Sequence, residues 1–122
     1  MRYMRGYTDS EGESHAEDVE LDLVETNYAP PAPAVWASAM FPATGYHFTR
    51  VQPGWYGDWH PVPRRQVFIL LQGEMEIEAS DGTRVRSAPG DILLAEDTWG
   101  KGHRSWVVGD KDALLAVVVL PD

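Results

Sequence analysis

The sequence contains no cysteine, which excludes a disulfide framework, a thiolate nucleophile and a thiolate metal ligand. Any metal would have to be held by His, carboxylate, amide or water ligands. Long hydrophobic runs are absent as well: the longest, from Ala113 to Leu120, is far shorter than the ~20 residues that a membrane helix needs. Because residues 1–12 also lack the apolar segment of a signal peptide, we expect a cytoplasmic protein without a membrane partner.

Positive charge is scarce in this chain. Ten Lys and Arg residues stand against nineteen Asp and Glu residues, which gives a net charge of −9 and an isoelectric point near 4.7. Because such a surface repels phosphate backbones, we expect no nucleic-acid partner.

No stretch shows a sustained helical period, and 122 residues suffice for one domain. The chain does have 43% hydrophobic residues, including five Trp and five Tyr, which predicts a packed core.

The negative charge is concentrated near the N-terminus. The carboxylates of the first 25 residues are Asp9, Glu11, Glu13, Glu17, Asp18, Glu20, Asp22 and Glu25. The first 16 residues show no periodic apolar pattern, which predicts a flexible acidic arm over residues 1–17. From Asp18 onward Val19 and Leu21 alternate with charged residues, as in a half-buried strand. The folded domain is therefore predicted to cover residues 18–122.

Short β-type segments closed by turn residues follow one another at intervals of roughly 8–12 residues, which indicates an all-β sandwich or barrel with very little helix. The predicted strands are 34–41, 45–51, 66–72, 74–79, 83–87, 91–95, 103–108 and 113–120. A proline-rich connector, residues 27–33, precedes them. The clearest hairpin is predicted at Asp81-Gly82, since this pair supplies positive φ. The predicted core residues are Phe68, Leu70, Met75, Ile77, Ile92, Leu94, Val107, Leu115, Val117 and Val119.

Four residues share the spacing of a known family motif. Gly54, His60, Gln66 and Gly73 fit the frame glycine, five residues, histidine, one residue, histidine, three residues, glutamate, six residues, glycine. Val62 occupies the second histidine position and Gln66 the glutamate position. About half of the chain therefore resembles a small single-domain cupin. The resemblance implies a jelly-roll β-barrel with a pocket at one mouth, and a homodimer.

The second motif of that family fits less well. Its frame begins at Gly90, but Glu96 stands where the family has proline and Thr98 where it has glycine. His103 follows two residues later than the last histidine of the family motif. A carboxylate of Glu96 or Asp97 would orient an imidazole, or else these two residues form a solvated turn.

The resemblance implies two roles for His60 and His103. As catalytic residues they would carry protons during a reaction in the pocket. Together with Gln66 they would bind one divalent transition metal, Zn²⁺, Mn²⁺, Fe²⁺ or Ni²⁺. Because Val62 removes one imidazole from this set, a protein without a metal is the open alternative.

Three further residues are predicted to contact the substrate. Arg64 would hold a carboxylate of an anionic small molecule, and Trp59 and Trp99 would form walls of the pocket. The alternative for Arg64 is a surface ion pair with the acidic arm, and for the two indoles it is packing in the core or at the mouth. Residues 100–102, Gly-Lys-Gly, would form a mobile lip over the pocket.

Three classes of function remain open from the sequence. The first is a cupin-type small-molecule enzyme of the isomerase, lyase, cyclase or dioxygenase kind. The second is a non-catalytic ligand-binding or sensory barrel, in which Val62 marks a degenerate metal site. The third is a protein-interaction module that works through the acidic arm.

Overall fold

The computed structural model describes all 122 residues, which form twelve strands and no helix. The strands are β1 (Arg2–Thr8), β2 (Ser14–Glu20), β3 (Val24–Thr26), β4 (Val35–Ala37), β5 (Gly45–Val51), β6 (Tyr56–His60), β7 (Gln66–Gln72), β8 (Glu74–Ala79), β9 (Arg84–Ser87), β10 (Ile92–Ala95), β11 (His103–Val108) and β12 (Ala113–Val119). No helix that could cross a membrane is present.

Two main sheets face each other across the core. The larger has six strands in the order β2-β1-β10-β7-β12-β5, and the smaller has four in the order β6-β11-β8-β9. A separate ribbon pairs β3 with β4, and the proline-rich residues 27–33 connect these two strands, as predicted. Ser14 and Ser80 link the two main sheets by backbone-to-hydroxyl hydrogen bonds of 2.7 Å in both directions. This arrangement confirms the predicted all-β jelly roll.

Strict alternation of apolar and charged residues explains the orientation of β8. Met75, Ile77 and Ala79 face inward, while the glutamates between them face outward. The predicted hairpin at Asp81-Gly82 is confirmed, with Gly82 at a φ of 92°. The core cluster consists of Leu70, Met75, Val107, Ala113, Leu115 and Val117, with Val51 and Phe68 packed against it.

The predicted orientation of β10 was wrong. Leu93 and Ala95 face the interior, whereas Ile92 and Leu94, predicted as core, lie on the outer face of the six-stranded sheet. The sequence Ile-Leu-Leu-Ala has no polar residue that shows which side chains face the solvent. The pairing of β10 with β7 therefore determines which of them face inward. Leu93 pairs with the inward-facing Phe68 of β7, and residues directly opposite each other share a face.

The N-terminal segment differs from the expected arm over residues 1–17. β1 pairs in parallel with β10 and antiparallel with β2, so both of its edges are satisfied within the sheet. Basic residues of β1 neutralise part of the acidic charge: Arg5 donates to Glu17 at 2.8 Å and Arg2 donates to Glu20 at 3.1 Å. Charge density alone suggested an arm because the cross-strand partners were not apparent from the sequence. The jelly roll therefore begins at β1, not at residue 18.

Candidate functional site

A cavity of about 280 Å³ lies between the two main sheets. Its apolar wall includes Val51, Trp55, Phe68, Leu70, Met75, Ile77, Leu93, Leu115 and Val117. His60, Asp97 and His103 also line it and are close together. His60 is exposed, while Asp97 is only 3% exposed, so this polar group extends from the surface into the interior. We call His60, Asp97 and His103 the imidazole site.

Strand pairing brings the two histidines together. β6 and β11 are antiparallel neighbours, and their register places His103 directly opposite His60. The centroids of the two rings are 4.9 Å apart, at an interplanar angle of 52°. His60 is the last residue of β6 and His103 the first of β11, so both side chains lie at the same end of the smaller sheet.

Hydrogen bonds determine which nitrogen of each ring is free. His103 Nδ1 lies 2.5 Å from Asp97 Oδ2, and His60 Nδ1 lies 2.6 Å from the backbone oxygen of Asp58. A carbonyl and an ionised carboxylate only accept hydrogen bonds, so both Nδ1 atoms donate. In the neutral rings the proton is therefore on Nδ1, and both Nε2 atoms carry lone pairs. Each Nε2 can accept a proton or, once protonated, return one.

The loop after β10, residues 96–102, is held in place by the N-terminal hairpin. Thr8 Oγ1 donates to the Trp99 oxygen at 2.9 Å, and Ser14 Oγ donates to the Gly102 oxygen at 2.7 Å. Lys101 adds an ion pair of 2.6 Å with Glu13 and a backbone hydrogen bond to Gly12 of 2.9 Å. Instead of the expected mobile lip, residues 100–102 are thus anchored to the turn between β1 and β2.

Comparison with family models supports the resemblance. Residues 47–119, more than half of the chain, match the family model described as "Cupin domain". The chain belongs to the cupin family. A search of curated proteins gives no match.

Solved structures share the cupin fold. The cupin domain of Cnp3 from Schizosaccharomyces pombe has a TM-score of 0.50 at 15% identity and covers 89% of this chain and 73% of its own. A conserved protein of unknown function from Streptococcus pyogenes has a TM-score of 0.50 at 24% identity, covering 70% of this chain and 71% of its own. A cupin-2 domain containing protein from Shewanella frigidimarina has a TM-score of 0.48 at 16% identity, covering 62% and 69%. The two structures with a TM-score of 0.50 show the fold alone, because their identities are low.

The donor set of this cupin does not fit a metal centre. Catalytic metal sites commonly use three protein ligands, and no group of three or more His, Asp or Glu residues here could hold an ion. The predicted third ligand, Gln66, does not line the cavity, because it is the first residue of β7 and lies beyond Phe68. Val62, at the second histidine position, is 2% exposed and contributes only an alkyl group.

The structure does not bring the predicted substrate-binding residues to the cavity. Arg64 is exposed in the turn before β7, and it is Arg65 that makes an ion pair, 2.8 Å to Glu96. Pro61 and Pro63 interrupt the chain between β6 and Arg64, so the alternation of side chains in the strand does not extend to Arg64. Trp59 is 43% exposed and lies 5.1 Å from the guanidinium carbon of Arg104, and Trp99 is 51% exposed.

The cavity contains a different indole, that of Trp55. The sequence alone could have predicted that Trp59 faces away from the cavity. Neighbouring residues of a strand face opposite sides, so an inward His60 requires an outward Trp59.

Sequence reasoning also missed His15, which lines the cavity of this cupin. Its Nε2 lies 2.7 Å from Asp9 Oδ2, and its Nδ1 lies 2.7 Å from Asp81 Oδ2. Both hydrogen bonds raise the pKa of His15 above its ordinary value, and the bond to Asp9 has the larger effect. The bond to His15 lowers the pKa of Asp9. Burial raises the pKa of Asp81, but hydrogen bonds from Thr83 and His15 outweigh it and leave the pKa lowered.

These shifts predict how pH affects the stability contributed by His15. A raised pKa means that the contribution is complete below about pH 6.5 and disappears as the pH rises through the raised value. We expect His15→Gln to destabilise the protein more at pH 5.5 than at pH 8.5, measured by urea unfolding. Equal destabilisation at both pH values would contradict an ionic role. Below about pH 4 the contribution of Asp9 and Asp81 decreases as they are protonated through their lowered pKa values.

Proposed function

We propose that the cavity binds a small, uncharged organic molecule and that His103 and His60 transfer protons at that molecule. The observation that carries this proposal is the imidazole site itself. Two Nε2 lone pairs, one of them on a ring bonded to a buried carboxylate, belong to side chains that line a cavity with mostly apolar walls. Such an arrangement supports general acid–base catalysis.

The two imidazoles would have complementary tasks. When His103 accepts a proton at Nε2, the Asp97 carboxylate stabilises the imidazolium that forms. His60 lies beside it and, in its protonated form, would return a proton at another position of the substrate. Proton removal at one atom and delivery at another is the common step of isomerase, lyase and cyclase reactions. Asp97 is buried, so its electrostatic effect on His103 is stronger than it would be in open solution.

The size and charge of the cavity support the proposed substrate class. Ligand pockets usually measure about 300–1,000 Å³, so a cavity of about 280 Å³ suits a small molecule. No Lys or Arg lines it, and Asp91 and Asp97 are the carboxylates that do. An anionic substrate, which Arg64 had suggested, would find no Lys or Arg there, and both ring nitrogens of His15 are already bonded to Asp9 and Asp81. We therefore propose neutral compounds with a weakly acidic C–H or O–H bond.

A second candidate is ligand binding without turnover. The buried Val62 at the position of a family ligand favours it, because the site then lacks one group of the family's chemistry. Both candidates predict that a small neutral molecule occupies the same cavity. They differ only in whether the bound molecule reacts.

The experiment combines a binding screen with a test of proton transfer. Small neutral ketones, aldehydes and lactones would be screened for compounds that raise the melting temperature, and the hits followed by proton NMR in D₂O. The enzyme proposal predicts that a hit exchanges its C–H protons for deuterium, or is converted, faster with protein than without. Hits that bind but never exchange would favour the binding protein. If no neutral compound raises the melting temperature, the proposed substrate class fails.

A further inference from the structure

A second hollow lies on the opposite face of the six-stranded sheet. Its volume is about 510 Å³, and we call it the outer groove. Val67 and Ile69 of β7 and Ile92 and Leu94 of β10 form its floor. The remaining apolar lining residues are Met1, Tyr3, Leu21, Phe41, Pro42, Leu120 and Pro121. β7 and β10 are thus a common wall of the outer groove and the inner cavity.

The charged side chains that line the outer groove are two arginines and one glutamate. Glu96 accepts from both: Arg5 Nε lies 2.6 Å from its Oε1, and Arg65 Nε lies 2.8 Å from its Oε2. One terminal nitrogen of each arginine also donates a hydrogen bond. Arg5 Nη1 donates to Glu17 at 2.8 Å, and Arg65 Nη1 donates to the backbone oxygen of Pro121 at 2.9 Å. The second terminal nitrogen of each guanidinium has no protein acceptor.

Both guanidiniums are held in fixed positions. The Nε bonds to a single carboxylate fix both groups, and Arg5 also lies over the ring of Tyr7 at 4.5 Å. Their side chains are 35% and 38% exposed, so a ligand can reach them. The lining of the outer groove has two arginines and one glutamate, and Glu17, which does not line the groove, pairs with Arg5. Fixed guanidiniums are well suited to bidentate binding of a carboxylate.

We propose that the outer groove binds a free amphipathic carboxylate, with its alkyl chain on the floor formed by β7 and β10 and its head group at Arg5 and Arg65. The floor buries the alkyl chain, and the spare N–H groups of the two arginines accommodate the charge. A volume of about 510 Å³ lies within the usual range of ligand sites. This site is separate from the imidazole site and does not depend on the function proposed for it.

The test uses decanoate as the probe and isothermal titration calorimetry on the full chain. We expect saturable binding of one decanoate per chain. Arg65→Gln should weaken binding by about tenfold or more, since it removes a charged hydrogen-bond donor. Arg64→Gln is the matched control: it removes the same charge from an exposed neighbour that does not line the groove, and it should change affinity less than about twofold. Decan-1-ol, which lacks the charge, should bind native protein at least about tenfold more weakly than decanoate.

Several outcomes would overturn the proposal. These are the absence of saturable decanoate binding up to about 1 mM, equal affinity for decanoate and decan-1-ol, and equal effects of the two arginine variants. If Arg65→Gln does not fold, the comparison of decanoate with decan-1-ol on native protein still tests whether the carboxylate contributes to binding. Ile69→Trp should fill the groove and abolish binding, whereas unchanged binding would place the probe elsewhere.

Two other occupants of the outer groove can be distinguished from the proposed one. A concentration-dependent dimer in sedimentation velocity that decanoate does not dissociate would assign the groove to a second copy of the chain and overturn the proposal. Binding to vesicles of phosphatidylglycerol without binding to monomeric decanoate would overturn it in favour of a lipid surface. Loss of decanoate binding would leave the imidazole-site proposal intact, because the screen for neutral ligands of the inner cavity is a separate measurement.

Discussion

Replacement of Gly102 by alanine is expected to lower the free energy of unfolding by more than about 3 kcal/mol. Gly102 has a φ of 72°, in the left-handed region that side chains rarely adopt. A Cβ atom there would lie 2.2 Å from both the carbonyl carbon and the oxygen of His60. These are backbone atoms of the neighbouring strand, so they can move away only if the β6–β11 pairing is disrupted. The substitution would therefore also displace His60 from His103.

Gly109→Ala provides the matched control for this prediction. Gly109 has a φ of 84°, but a Cβ atom there would meet nothing within 4 Å. Its replacement should lower the free energy of unfolding by only about 1–2 kcal/mol, the intrinsic cost of a left-handed alanine. The difference between the two variants in urea unfolding isolates the steric clash. Equal losses would show that the close approach of Gly102 to His60 does not exist in solution.

His103→Gln is expected to reduce turnover by about 10²–10⁴-fold for any substrate found by the neutral-compound screen. The proposed reaction needs the Nε2 lone pair of His103, and an amide cannot accept and return a proton at neutral pH. Binding of the substrate should change little, because the apolar wall remains, so the loss should appear in kcat and not in KM. His47→Gln is the control, since His47 also lines the cavity but has no carboxylate partner.

Asp97→Asn tests the orientation of the imidazole separately from its presence. The amide of Asn can donate to Nδ1, which favours the tautomer with the proton on Nε2 and removes the catalytic lone pair. The variant should therefore lose much of the turnover while keeping His103, and ¹⁵N NMR of the imidazole should show the changed tautomer. Unchanged turnover in either variant, or an equal loss in His47→Gln, would refute the assignment of His103 as the base.

Local patterns were sufficient to predict most of the sheet structure. Alternation in β8 and the turn at Asp81-Gly82 are determined by neighbouring residues, and both predictions are confirmed. The family frame from Gly54 to Gly73 likewise identified the cupin fold. The orientation of β10 could not be derived in the same way, because four consecutive apolar residues carry no polarity signal. The role of residues 1–17 was also hidden, since it depends on the parallel pairing of β1 with β10.

The candidate site was predictable only in part for a similar reason. His60 and His103 were identified from the motif frame, and the structure places them side by side. Asp97 was considered as an orienting carboxylate or as a solvated turn, and its burial depends on how the loop after β10 folds back. His15 and Asp9 lie on one hairpin, but Asp81 comes from a turn that is 66 residues away from His15 in sequence. The burial of these groups depends on contacts between distant segments, which have no short-range signature.

The parallel pairing of β1 with β10 also affects how the chain can assemble during synthesis. Arg5 lies opposite Leu94, so during synthesis β1 has to wait for a partner strand that is made much later. Until then the hairpin of β1 and β2 has only its own few bonds, and an isolated two-stranded hairpin is marginally stable in water. Loop 96–102, which carries Asp97, can be anchored only after that hairpin has docked. The imidazole site is therefore among the last parts of the molecule to form on a growing chain.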